Sequence, residues 1–455
     1  MAASQTPPAG VNSGGPDPAE LMRSRAFILV LAVASVVGVL ASLAAWAFLE
    51  AIHQIQVGAY ESLPDALGFD STPDWWSLPV LLFASVLVAY AVARMPGGGG
   101  HIPAKGLNAS PTDPTELPGV VLAAVAGIGL GIVLGPEAPL IAIGGAVGIW
   151  VVRRLAREAP EALTTLIASS GLFSAISFLF GSPLVAAVLL IEAAGLDKRR
   201  LTVVLIPGLL AAGIGSLVAT GMGSWTGVDM KDLTISPLQL EHFPRPTIVD
   251  FVWTVPLAAL VALGTLPIFA IGRRVVEFAE ARPFAVLPAV AAVISVLAIV
   301  FDLITGKGAE QVLFSGETAL SPLVSNEAAW SLGALALLLV VKGLAYALAL
   351  GSFRGGPVFP ALFLGAAAGI MASHLPGFDL TPAVAVGMGA AVAAVLRLPL
   401  TAVLLAVILT ASAGLGTSAL IIVGVVISFL IVNALSPPEE ADPQEGEPQQ
   451  DPAPG

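Results

Sequence analysis

Gly135-Pro136-Glu137-Ala138-Pro139-Leu140-Ile141-Ala142-Ile143-Gly144 and Gly356-Pro357-Val358-Phe359-Pro360-Ala361-Leu362-Phe363-Leu364-Gly365 are one phrase written twice in the same chain. Both Gly-Pro pairs fall in register, as do the second proline and the closing glycine, and Gly148 continues the register against Gly369. A second match follows each copy in the same order. Ser182-Pro183-Leu184-Val185-Ala186 parallels Leu398-Pro399-Leu400-Thr401-Ala402, and Gly171 and Gly387 keep the same distance from those prolines. The chain therefore reads as two related halves, 25–225 and 249–435, joined by a polar connection over 226–248 and flanked by tails over 1–24 and 436–455.

Composition says what solvent these halves meet. Apolar residues are 56% and charged residues 11% of the chain, and the mean hydropathy is +0.93. A soluble domain carries about a quarter charged residues; with 11% it could not cover its surface. Apolar stretches over 26–57, 77–95, 118–152, 162–194, 201–221, 249–276, 283–304, 328–350, 357–376, 381–412 and 416–435 reach or exceed the roughly 20 residues of a membrane helix, within a residue or two. The expected fold is an all-α polytopic membrane bundle. The absence of cysteine excludes disulfides and thiolate metal sites, and His53, His101, His242 and His374 have no metal-ligand spacing. Half of the net charge of −12 sits in the Pro/Glu/Gln-rich 436–455, expected to be a disordered tail, as is the Pro/Gly/Ser-rich start. The first apolar run is too long for the core of a cleaved signal.

Basic clusters at Arg23/Arg25, Arg153/Arg154/Arg157, Lys198–Arg200 and Arg273/Arg274/Arg282 predict the cytoplasmic side, with both termini there. The loop 58–75, with Glu61, Asp65, Asp70 and Asp74 and no Lys or Arg, is expected outside.

Breaks at Gly135-Pro136, Gly181-Ser182-Pro183 and Gly355-Gly356-Pro357 interrupt apolar stretches. Broken helices at membrane depth are tolerated where they line a cavity, and matched breaks in two halves point to a transport site at the midplane. Proline suits a first helical turn. The N-terminus behind it presents free N–H groups and partial positive charge. Two such ends meeting from opposite leaflets form an anion site without a fixed cation. Glu137 stands on the first turn after the first break. A carboxylate at this depth marks function, and it competes with an anion for the same dipole, which makes it a candidate gate opened by protonation. Glu192 is the other acid deep in an apolar run, open to a transport role or to a salt bridge with Lys198–Arg200. Lys342, Arg354 and Arg397 read as span-end residues that snorkel or pair at helix ends.

These residues resemble the CLC family of chloride channels and chloride/proton exchangers over roughly 26–435. Gly135-Pro136-Glu137-Ala138-Pro139 is similar to its G-[KR]-E-G-P signature, Gly356-Pro357-Val358-Phe359-Pro360 to G-x-F-x-P, and Gly99-Gly100-His101-Ile102-Pro103 to G-S-G-I-P. The resemblance implies an inverted repeat of tilted helices with one pore per subunit of a homodimer. It also implies a gating role for Glu137, anion contacts from Gly99, Gly100, His101, Ile102, Gly135, Gly356, Val358 and Phe359, and a possible proton path at Glu192. Several departures weaken the central anion site and the proton coupling. Gly100 replaces the chloride-contacting serine, Pro136 the basic residue before the gate, Val358 the phenylalanine, and Ala193 the exchangers' inner acid. Pro357 lacks an N–H. The family's last helix and its tyrosine, and a nucleotide-binding module, are not expected after Leu435.

The expected function is passive or weakly proton-coupled movement of chloride or a similar monovalent anion across the plasma membrane. A chloride/proton antiporter using Glu192 is the alternative, and fluoride or nitrate selectivity stays open. The remote alternative, an intramembrane enzyme, finds no H-E-x-x-H, no paired intramembrane aspartates and no spaced Ser/His pair. No cofactor is expected. The expected partners are the anion, the lipid bilayer and a second copy of the chain, with no nucleic acid.

Overall fold

The computed structural model describes residues 22–194, 198–226 and 233–436. Of the expected disordered tails, only 22–24 and Ser436 fall within it, so those expectations lie outside the described residues. Regular structure among the described residues is helical. The α-helices of nine residues or more are α1 Arg25–Val57, α2 Ser77–Arg94, α3 Leu117–Gly129, α4 Glu137–Leu155, α5 Glu161–Phe180, α6 Pro183–Ala194, α7 Lys198–Thr226, α8 Ile248–Ala281, α9 Pro283–Thr305, α10 Glu317–Ser325, α11 Leu332–Ser352, α12 Val358–Ala372, α13 Leu380–Leu396, α14 Pro399–Leu409 and α15 Ser418–Leu435. Nine helices among the described residues are long and apolar enough to cross a membrane.

The apolar stretches over 118–152 and 162–194 split in two at the expected Gly/Pro breaks, the third expected break falls between α11 and α12, and 381–412 also splits, before Pro399. Gly181 ends α5 in the left-handed region at φ 59, and Pro183 starts α6. Pro399 starts α14, after Arg397 has closed α13 in the same left-handed conformation at φ 55. The sequence reading placed no helix over 317–325. α10 is short and carries Glu317, Ser321 and Pro322, so it leaves no apolar signature.

The repeated glycines are where the helices of each half cross. A Cβ on Gly144 of α4 would run into the carbonyl of Gly171 on α5, and one on Gly365 of α12 into the carbonyl of Gly387 on α13. Gly148 faces the Ala168 backbone and Gly369 the Ala383 backbone in the same way. Small residues let membrane helices approach backbone to backbone, so the glycine register of the sequence is the contact register of two equivalent helix pairs. These pairs form the inside of the molecule. Two-thirds or more of the apolar window is buried for α4 (67%) and α5 (78%), against 33% for the first span, which contains α1, and 28% for α8. The outer helices turn residues such as Leu260, Leu217 and Leu430 outward, as a chain in lipid requires.

The two halves run in opposite directions. α4 begins at the break and ends at Arg153 and Arg154. α12 begins at its own break and is followed by residues near the 233–247 segment, where the Thr381 hydroxyl donates to the Glu241 carbonyl at 3.1 Å. That segment lies across the C-terminal ends of α5 and α14. Ile235 N–H donates to the Leu179 carbonyl (3.4 Å), Leu238 N–H to the Leu409 carbonyl (2.8 Å) and Phe243 N–H to the Ala413 carbonyl (2.9 Å). Its Leu233, Leu238, Leu240 and Phe243 are buried, so the part of the connection within the described residues is an anchored strap rather than a polar linker.

Candidate functional site

The two Gly-Pro breaks meet. Gly135 N–H donates to the Gly356 carbonyl at 2.7 Å, and Gly356 N–H to the Gly135 carbonyl at 2.5 Å, a single antiparallel bridge between the halves. From this bridge α4 and α12 depart with their N-termini facing each other. Glu137, the first residue of α4, does not cap only its own helix. Its Oε1 accepts from Val358 N–H at 2.9 Å and Phe359 N–H at 3.0 Å, the free donors at the start of α12. Its Oε2 lies against Gly135 and Gly356, where a Cβ on either glycine would stand in the place of the carboxylate. This oxygen is enclosed and has no hydrogen-bond partner, and the residue is wholly buried. Glu137, Gly135, Gly356, Val358 and Phe359, named separately from sequence, are thus one site. The absent N–H at Pro357 is bypassed, because the next two residues supply the donors.

Neighbours fix the α12 N-terminus. The Tyr346 hydroxyl of α11 donates to the Pro357 carbonyl at 2.7 Å. Phe359 stacks on Phe180, the last residue of α5, with centroids 5.8 Å apart and planes 9° apart. Lys342 is corrected by the structure. It sits mid-way along α11, fully buried, and Nζ donates towards the carbonyls of Gln311 (2.9 Å), Val312 (3.2 Å), Leu313 (2.9 Å) and Phe314 (3.3 Å). It also lies 4.5 Å from the Phe363 ring centroid on α12. It staples the segment before α10 to the bundle rather than snorkelling.

Gly99, Gly100, His101 and Ile102 belong to a separate loop between α2 and α3. Gly97 to Gly100 all have positive φ, with Gly100 at 103°. A serine at Gly100 would be strained in that conformation, which accounts for the glycine where the signature has serine. His101 Nε2 pairs with the Gly106 carbonyl at 2.9 Å. Burial first, and the Arg354 charge second, push its imidazole below the ordinary value against that hydrogen bond. Arg354 is the residue sequence reasoning misplaced. It is 6% exposed, Nε donates to the Gly98 carbonyl and Nη1 to the Phe353 carbonyl, each at 3.3 Å. It therefore ties the glycine loop to the linker that carries Gly356, and it has no salt-bridge partner among the described residues. A lone cation set directly before the Gly355-Gly356-Pro357 break is the signal that could have found it.

Glu192 lies elsewhere, at the end of α6. Its Oε1 accepts from Leu400 N–H (2.9 Å), and its Oε2 from the N–H (2.8 Å) and hydroxyl (2.7 Å) of Thr401. It caps α14 across the two halves. The salt bridge considered with Lys198–Arg200 involves side chains outside the described residues.

The sequence model of the voltage gated chloride channel family matches residues 80–433, most of the chain. The chain belongs to this family, the CLC family. Two YfeO proteins, ion-transport proteins by name, are similar to it. That of Shigella boydii serotype 4 is 28% identical and that of Escherichia fergusonii 27%, each over 360 residues, 78% of this chain and 81% of the relative. Among solved structures the fold is shared with a slow cyanobacterial Cl−/H+ antiporter (TM-score 0.71, 17% identity, 89% of this chain and 94% of that one). It is shared as well with a CLC-type fluoride/proton antiporter (TM-score 0.66, 16% identity, 90% and 96%). The chain is thus a multi-pass membrane protein of an anion-transporting family of CLC channels and transporters rather than enzymes.

Proposed function

We propose that this protein carries chloride or a similar small monovalent anion across the plasma membrane, with Glu137 as the gate. One observation carries the reading: the Glu137 carboxylate takes the two N–H donors at the start of α12 that an anion would take. A helix N-terminus is a ready anion seat, and a carboxylate in it is a tethered anion. Protonation removes the charge that holds it there, so the seat is vacated and a mobile anion enters. The anion site consists of Val358, Phe359, Gly135 and Gly356, with the Gly99–Ile102 loop and Arg354 on the approach from the basic-cluster side. Arg354 supplies fixed positive charge on that approach. Glu192 is a structural clip rather than a proton carrier, because both of its oxygens are engaged. Coupling to protons is accordingly weak. The basic loops and both termini face the cytoplasm, the 58–75 loop faces outside, and the working unit is a homodimer.

The test is efflux of chloride, and separately fluoride, from proteoliposomes between pH 7 and pH 5, with proton movement recorded in the same vesicles. The expected result is anion efflux that rises on acidification, with little uphill proton transport. Tightly coupled uphill proton movement would replace this reading with the exchanger, and efflux indifferent to pH would remove Glu137 as the gate.

A further inference from the structure

Two enclosed carboxylate oxygens beside the site have no hydrogen-bond partner, Oε2 of Glu137 and Oε1 of Glu317. Buried polar atoms are nearly always paired, so two orphans on acids of the same sign need an explanation. The acids share a support. Glu137 bonds the start of α12, and α10, which Glu317 opens, packs on α12, where Gly316 lies against the Phe363 ring. Phe314, just before α10, donates its N–H to the Gly131 carbonyl (3.0 Å) in the turn leading to Glu137. The Glu137 charge acts on Glu317.

Their exposure differs. Glu137 is wholly buried, whereas Glu317 keeps part of its surface accessible. Glu317 is also on the face of the 58–75 loop, since Phe314 packs edge-on against Tyr60 with centroids 5.1 Å apart. The other titratable groups around the pair are engaged. Lys342 of α11 is bound to the carbonyls of Gln311–Phe314. The Tyr346 hydroxyl, also on α11, donates to Pro357, and the Tyr60 hydroxyl to the Leu130 carbonyl. α12 carries no titratable side chain. Glu310, earlier in the same loop, is partly buried and faces the like charge of Asp302 rather than the site.

We propose that Glu317 is the proton donor to the gate, forming with Glu137 a carboxyl pair that shares a proton taken from the outer face. The proposal rests on the gating role given to Glu137 above. An O–H bond breaks at Glu317 and one forms at Glu137, the proton passing through water because neither orphan oxygen has a hydrogen-bond partner. The charge passes from the Glu137 carboxylate to Glu317, and Glu317 regains its proton from outer water. Two carboxylates that act on one another resist ionising together, so the pair carries a proton that a lone gate would not hold, and the orphan oxygens are the two ends of the transfer.

The test uses the full chain in proteoliposomes, comparing wild type with Glu317→Gln, Glu317→Asp and Glu137→Gln. Removing the neighbouring negative charge makes Glu137 harder to protonate. Glu317→Gln should therefore lower the pH of half-maximal chloride efflux by about one unit and slow the response to an external pH jump on the order of tenfold, while Glu317→Asp stays near wild type. A wild-type midpoint and response in Glu317→Gln would overturn the proposal. pH-difference infrared spectra of the purified proteins give a readout independent of transport. The protonated-carboxyl band of Glu137 must shift when Glu317 is replaced and that of Glu317 when Glu137 is replaced. Independent bands would overturn the pair even if efflux were absent. Efflux in Glu137→Gln that keeps the wild-type pH dependence would instead sink the gate itself.

Discussion

Two carboxylates leave the first half of this chain to cap a helix of the second, and they are held differently. Glu192 at the head of α14 receives three hydrogen bonds, spread over both oxygens, in a partly exposed setting. Glu137 at the head of α12 receives two from the α12 backbone, both on one oxygen, and its other oxygen is enclosed with none. A hydrogen bond to a charged group contributes roughly 1.5–3 kcal/mol, and a buried unmet acceptor costs a comparable amount. Glu192 is therefore seated near its best, whereas Glu137 occupies a seat that it only half fills. The same local chemistry gives a clip in one place and a displaceable occupant in the other.

The largest effect should come from removing the charge of the poised carboxylate. Glu137→Gln keeps the shape but loses the charge-assisted part of its hydrogen bonds, worth about 2 kcal/mol. Chloride efflux from liposomes at neutral pH should rise on the order of tenfold and lose its dependence on pH. Efflux that stays low and pH-sensitive would make Glu137 a clip like Glu192. A smaller loss is expected from Arg354→Gln, which removes the buried positive charge next to the glycine loop. Efflux should fall about tenfold, the equivalent of about 1.4 kcal/mol, and Arg354→Lys should recover most of it. An equal loss in both variants, with unchanged elution of the protein, would assign Arg354 to backbone bonding alone. The smallest effect belongs to the clip. Glu192→Gln should lower stability by about 1 kcal/mol, as for a lost helix cap, read as a shift of a few degrees in thermal unfolding. The pH profile of efflux should not move, and if it does, the contrast between the two carboxylates collapses.

Much of this was readable before the structure. Gly144, Gly148 and Gly171, with Gly365, Gly369 and Gly387, mark helix crossings, and crossings impose small residues at fixed sequence spacing. Glu137 was readable because an acid in an apolar run stands out. Its real partners were not. The donors of Val358 and Phe359 come from the opposite half, and nothing local in either phrase says that Gly135 pairs with Gly356. Reading the apolar run as 328–350 put Lys342 towards its end, but α11 covers Leu332–Ser352, which centres the lysine in the helix. Its ligands are main-chain carbonyls, which carry no sequence signature. Tyr346 and Arg354 escaped for the same reason, since both bond backbone oxygens of distant segments.

The central claim is that the Glu137 carboxylate and a mobile anion compete for the α12 N-terminus. Chloride binding to the purified protein by isothermal titration calorimetry at neutral pH, in wild type and in Glu137→Gln, tests it without any assumption about transport rate. The account predicts clearly tighter binding in Glu137→Gln, and wild-type binding that approaches it as the pH is lowered. Equal affinities in the two proteins at neutral pH would mean that the carboxylate does not occupy the anion's seat, and would contradict the account.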